Sequence, residues 1–172
     1  MPNSSIIKKV KNKVIRELIK DKEIVNAINS SDVSPSTPEK LINTHIFDFN
    51  QNPNTINKVG TFITVQVQIP YTFYKNPTIH VHPNIEICIV SHEKHMVVDN
   101  VPKVTQNRND YISELIDRKL NGRSGFGIGR TRLQSNLEGA FQHDYLYRKI
   151  TLECIDINYS LCEEDYNGEY IE

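Results

Sequence analysis

Four glycines fall within the segment NGRSGFGIGRTRL, at Gly122, Gly125, Gly127 and Gly129, interleaved with Arg123, Arg130 and Arg132. Glycine loops beside basic residues hold phosphates when they run from a strand into a helix. The free N–H groups and the positive dipole end of the helix then face the anion. Here the order is reversed. The preceding segment DYISELIDRKLNG has helical period in Ile112, Leu115, Ile116 and Leu120, and the following one is strand-like. The helix end that meets the glycines is negative, and no GK[ST] is present. The loop therefore reads as a helix cap and tight turn, with Gly122 left-handed.

The histidines raise a metal reading. His80 and His82 share a strand face in HVHPN, His92 and His95 lie three apart in SHEKH, and His45 and His143 stand elsewhere. Two histidines two apart on a strand can chelate zinc or iron. A catalytic site also needs a carboxylate on a rigid element, whereas Glu93 falls in a loop and no HExxH occurs. A metalloenzyme built on His80, His82, His92 and His95 is kept as a rival reading, while the expectation is no metal and no cofactor. Cys88, Cys154 and Cys162 are odd in number and form no CxxC, the pattern of reduced structural thiols. Cys88 and Cys154 fall in strands, where buried thiols are inert. There is no GxSxG, and the acidic run Glu163, Glu164, Asp165 lies near the chain end. No set of residues converges on an active site, so no enzyme is expected.

The elements that would position these residues follow from periodicity. Ile6, Ile7, Val10, Val14, Leu18, Val25 and Ile28 recur at helical spacing, which predicts one amphipathic helix of roughly six turns with lysines on its far face. Thr37-Pro38 predicts a short helix over residues 39–43. TFITVQVQI alternates and predicts a half-buried strand with a polar face, suited to a sheet edge. A second strand is centred on Ile85, Ile87 and Ile89, with Pro83 as a break. Residues 44–60, 70–84 and 94–108 read as loops. The last helix is capped by Asn109, a strand lies near residues 128–133, NLEGAFQHD turns, and YLYRKITLECIDIN closes the fold with a slip near Ile155. The expectation is a single α+β domain over residues 1–158, a mostly antiparallel sheet packed with two main helices, and an acidic tail over 159–172.

The chain has 172 residues, enough for one domain with its own core, and a net charge of −1. No overall basic bias points to nucleic acid, and the lysine face of the first helix lacks interleaved aromatics. No apolar run is long enough to span a membrane, and no signal segment is visible. The charge is uneven. Residues 1–22 carry seven basic side chains against two acidic ones, and residues 150–172 carry seven acidic ones and no Lys or Arg. Opposite ends of this kind suit a head-to-tail contact between copies. The candidate interface residues are Lys8, Lys9, Lys11, Arg130, Arg132, Glu163, Glu164 and Asp165.

The order of elements, with residues 108–122 reading R-x-D-x-[IL]-x-x-x-[IL]-D-x-x-L-N-G before GFGIG, resembles the neck proteins of tailed bacteriophages, in particular the tail terminator (tail completion) family. The stretch LINTHIFDFNQNPNTI adds to the likeness, which covers about residues 1–158. The resemblance implies a tail-terminator-like fold and a structural virion protein without an active site. It further implies a homo-hexameric ring that caps the tail tube, docks it to the head-side connector or adaptor proteins, and surrounds a lumen for DNA. Assembly would take place in the host cytoplasm. A head-completion adaptor on the portal is the alternative within the same machine.

Overall fold

The computed structural model describes residues 4–50, 58–68, 72–75, 78–81, 83–124, 130–141 and 144–154. Helix α1 (Ser4–Lys20) buries Val10, Val14 and Leu18 at the predicted spacing. The expected six-turn helix is broken, however. The Asp21 carboxylate accepts from the N–H groups of Glu23 at 3.0 Å and Ile24 at 3.3 Å, which starts a second helix, α2 (Lys22–Ile28). An N-cap aspartate satisfies donors that a continuous helix would satisfy with backbone carbonyls. The break lets Ile24, Val25, Ala27 and Ile28 bury on a new axis. Pro38 opens a single 3-10 turn, Pro38–Leu41, in place of the expected short helix.

Residues 44–50, part of the stretch expected as loop, are not all loop. Ile46 and Phe47 form β1, parallel to β2 (Thr61–Gln68). The expected half-buried edge strand is an interior one. β2 lies between β1 and β5 (Asn84–His92), and both faces of its first half are buried. The His45 ring stacks on Phe62 with centroids 5.4 Å apart, which covers the face expected to be polar. Part of the expected 70–84 loop is a separate hairpin, β3 (Thr72–Lys75) with β4 (Thr78–Val81). A second 3-10 turn, Glu93–His95, follows β5. Helix α3 (Arg108–Leu120) is capped by Asn107, whose side chain accepts from the Asp110 N–H at 2.9 Å. The expected cap, Asn109, lies one residue inside the helix and is buried.

The sheet closes with β6 (Thr131–Phe141) and β7 (Tyr145–Cys154), giving the order β1-β2-β5-β7-β6, antiparallel except at β1. This is the expected α+β class. β6 begins later than expected and runs through the NLEGAF segment read as a turn. The register irregularity sits on β6, between Leu133 and Ser135, while β7 pairs β5 in step up to Glu153. Ile155, where the slip was expected, lies outside the described residues.

One face of the sheet is almost wholly aliphatic. Ile63 pairs Ile89, Val65 pairs Ile87, which in turn pairs Ile150, and Val67 pairs Ile85, which in turn pairs Leu152. Here α1 lies over β2 and α3 over β5 and β7, with α2 packed on α3. Ile112, Leu115, Ile116 and Leu120, the predicted stripe of α3, all bury in this layer. On the other face Tyr147 of β7 lies over Gly139 of β6. A Cβ at Gly139 would come within 2.6 Å of the Tyr147 hydroxyl and 2.7 Å of the ring. The glycine makes room for a cross-strand aromatic that covers its backbone. Gly139→Ala is expected to lower stability by ~1 kcal/mol, the low end of overpacking costs. In a Tyr147→Ala background the same change should cost nothing, and urea denaturation of the double-mutant cycle measures the difference.

Candidate functional site

Among the described residues, those singled out by chemistry are not brought together. Gly122 has φ of +73° just beyond α3, the left-handed cap expected of it. Its N–H donates to Thr131 O at 2.8 Å, and the Thr131 hydroxyl donates to Leu120 O, so the turn locks α3 to the start of β6. Gly125, Gly127 and Gly129 lie outside the described residues, as do His82, His143 and Cys162. His80 belongs to β4. His92 accepts the Lys94 N–H at its ring Nδ1 and meets Tyr145 edge to face. His95 shares a 2.9 Å hydrogen bond with the Thr61 hydroxyl instead. Among the described residues no group of three or more His, Cys, Asp or Glu is placed to hold a metal ion. Cys88 is partly buried, and burial pushes its thiol up to about 11, with Glu86 adding to the rise. It is therefore a thiol, not a thiolate, at neutral pH.

Of the expected interface residues, Lys8 and Lys9 are exposed on α1, and Arg130 and Arg132 are exposed at the start of β6. Lys11 is engaged within the chain, donating to Asp48 O at 2.5 Å. Glu163, Glu164 and Asp165 lie outside the described residues.

The most elaborate polar site was not expected. Arg108, the first residue of α3, is 1% exposed. Its Nε donates to His95 O at 2.6 Å, and Nη1 donates to Ala27 O at 2.6 Å and to Asn100 Oδ1 at 3.2 Å. Nη2 donates to Val97 O at 2.6 Å. Asp99 lies 3.5 Å away and is largely exposed. Burial pulls the Arg108 pKa down and Asp99 opposes that pull; an arginine stays charged regardless. The segment expected as a long surface loop over 94–108 is wrapped around this guanidinium. A second chain of bonds adjoins it. His95 Nδ1 meets the Thr61 hydroxyl, which meets the Ser91 hydroxyl at 2.8 Å. Ser91 donates to Asn109 Oδ1 at 2.6 Å, and Asn109 Nδ2 donates to Leu146 O at 3.0 Å. This line of buried polar groups crosses β2, β5, α3 and β7. Thr61 and Ser91 are fully buried, so the hydroxyls are structural. The sequence sign of the site was the R-x-D start of the 108–122 pattern, beside a loop rich in carbonyls without strand partners.

Two further surfaces stand out. A cleft of about 320 Å³ lies between the start of α3 and the β6–β7 hairpin, lined by Met96, Asp110, Tyr147 and Arg148 among others. Arg148 there bonds Asp110 at 2.6 Å and Glu138 at 2.8 Å, which leaves the cation neutralised. A larger groove of about 620 Å³ lies along α1 and α2, lined by Arg16, Ile19, Lys20, Lys22, Val25, Pro35, Pro38 and Glu39 among others. No helix among the described residues is long and apolar enough to cross a membrane.

The described residues thus form a two-layer α+β fold whose buried polar groups tie its elements together. The chain belongs to the YomW family, which it matches over residues 13–154. The family name is Bacillus phage-derived, which makes this a phage-related protein. A search of curated proteins finds no match.

One buried imidazole, His45, and one half-buried, His95, link the core to pH. Burial is the main cause that lowers the pKa of His95 and of His45 below the ordinary value of 6.5, and the Arg108 charge adds to the effect at His95. The folded rings resist protons that the unfolded chain accepts. Stability is therefore complete above the unfolded pKa and is lost as pH falls from about 6.5 through the lower folded values. Urea denaturation at about pH 7.5 and 5.5 should show this loss, and a His45→Gln/His95→Gln double variant should show a flatter profile.

Proposed function

We propose that this protein is a ring-forming structural subunit of a phage neck, the tail terminator that joins the tail to the head connector. The observation that carries the reading is the pair of unlike, open sheet edges. On one side β6 is a ten-residue-plus outer strand, spanning Thr131–Phe141, with no neighbour beyond it among the described residues. On the other, β1 covers only Ile63 and Thr64 of β2, so residues 65–68 lack a strand partner on that side among the described residues. Long open edges are templates for pairing with another chain. Two different edges on opposite sides pair head to tail, and head-to-tail contacts close into rings when the rotation permits. The exposed Leu137 on β6, 56% accessible, adds apolar area to the same side. The phage-related family and the tail-terminator resemblance of the 108–122 pattern agree with this role. The basic face of α1, with Lys8 and Lys9, and Arg130 and Arg132 beside the β6 edge, supply charge for contacts with neighbours and with the tail tube and connector.

The head-side adaptor is the second reading, because unlike sheet edges serve a ring of either size. Native mass spectrometry and electron microscopy of the purified protein separate the two. A closed ring of six subunits is the expected result. A ring of twelve would move the assignment to the adaptor, and a monomer at micromolar concentration with a measurable hydrolytic activity would refute the structural role.

A further inference from the structure

The groove along α1 and α2 differs from the other surfaces in combining an apolar floor with unspent positive charge. Ile19, Val25, Pro35 and Pro38 line it. Arg16, Lys20 and Lys22 rim it, against a single acidic lining residue, Glu39. Lys20 reaches Glu17 of its own helix at 2.9 Å but stays 66% exposed. Arg16 and Lys22 make no ion pair among the described residues. A groove of this make-up fits an acidic peptide that carries apolar side chains. The chain contains such a segment. Beyond Asn158, SLCEEDYNGEYIE has five acidic residues, no basic one, and Leu161, Tyr166, Tyr170 and Ile171 set among them.

We propose that the acidic C-terminal segment of one copy docks in the α1–α2 groove of its neighbour. The placement of the two parts in the fold favours a neighbour over the same chain. The segment leaves from β7, next to the β6 edge of the sheet, whereas α1 lies over β2, at the opposite edge. In a head-to-tail ring the β6 side of one subunit meets the β1–β2 side of the next, which brings the departing segment to the neighbour's groove. Glu163 is nine residues beyond Cys154, a reach of ~30 Å for extended chain. The contact therefore rests on the ring reading, and it names the receptor for the acidic end: Arg16, Lys20 and Lys22, a turn or more beyond Lys8, Lys9 and Lys11. Once two subunits are adjacent, the tethered segment binds at high effective concentration, so weak charge pairs suffice.

Complementation between two full-length chains tests this. One chain carries Arg16→Glu, Lys20→Glu and Lys22→Glu with the native C-terminal segment. The other carries Glu163→Gln, Glu164→Gln and Asp165→Asn with the native groove. Zero-length carbodiimide cross-linking, read by mass spectrometry, reports amine–carboxylate contact, and native mass reports assembly. The wild-type chain should give links from Lys20 or Lys22 to Glu163, Glu164 or Asp165. Those links should vanish in either variant alone and return when the two are co-expressed. A ring that forms without such links, or wild-type links that do not return in the mixture, overturns the docking and leaves the ring standing. Monomers in every sample overturn both.

Discussion

A single buried cation organises the helical layer. The Arg108 guanidinium takes three backbone carbonyls, from Ala27, His95 and Val97, and the side-chain oxygen of Asn100. They belong to two parts of the chain, the end of α2 and the connection between β5 and α3. Ala27 O is a last-turn carbonyl of α2, one of those that a helix leaves without an internal partner. A cation there also opposes the negative end of the helix dipole. His95 and Val97 belong to the connection between β5 and α3, which makes no strand of its own. Asn100 returns the favour to α2, donating from Nδ2 to Asn26 O at 2.5 Å. Without the guanidinium the buried Ala27 bond would lose its donor, at a cost of ~1–3 kcal/mol, and the part-buried carbonyls of His95 and Val97 would lose theirs. The planar fork of arginine reaches acceptors in several directions at once, which an ammonium does not.

From that point the rest of the layer follows. The knot fixes the end of α2 against the start of α3, and the ion pair of Arg118 with Glu23 at 2.7 Å lies toward the other end of the same pair. The break at Asp21 then sets α1 apart from α2, which opens the groove rimmed by Arg16, Lys20 and Lys22. Beside the knot, the Thr61–Ser91–Asn109 line aligns β2, β5 and α3, and Asn109 carries it to β7. The helices cover one face of the sheet, and among the described residues no strand lies beyond β6. Stability thus draws on the aliphatic layer and its polar knot.

Periodicity was a good guide where one face is apolar and the other wet. The stripe Ile112, Leu115, Ile116 and Leu120 and the alternation of β2 and β5 were legible for that reason. It misled where tertiary contacts override it. Asp21 reads as one more polar residue on a helical face, and its capping role depends on a turn of the chain that spacing does not encode. Phe62 and Thr64 look like the wet side of a strand until His45 and Phe47 are brought over them. Gly139 suggests a turn because the tyrosine that covers it comes from the next strand. The site was less legible than the fold. Among the described residues those with familiar catalytic chemistry scatter, and Arg108, which ties the helical layer, resembles any solvated charge at a helix start. Only its burial, which depends on carbonyls distant in sequence, distinguishes it.

The helical layer depends on Arg108 as the donor to these acceptors. Buried ion pairs can often be exchanged for apolar side chains at no cost, because both partners leave together. Backbone carbonyls cannot leave. Urea denaturation of Arg108→Met and Arg108→Lys, compared with the native chain, tests this directly. The expectation is a loss of ~3 kcal/mol or more for the methionine variant, from carbonyls left without donors, and incomplete recovery by lysine. A methionine variant within ~0.5 kcal/mol of the native chain, the range of ordinary surface changes, would contradict it.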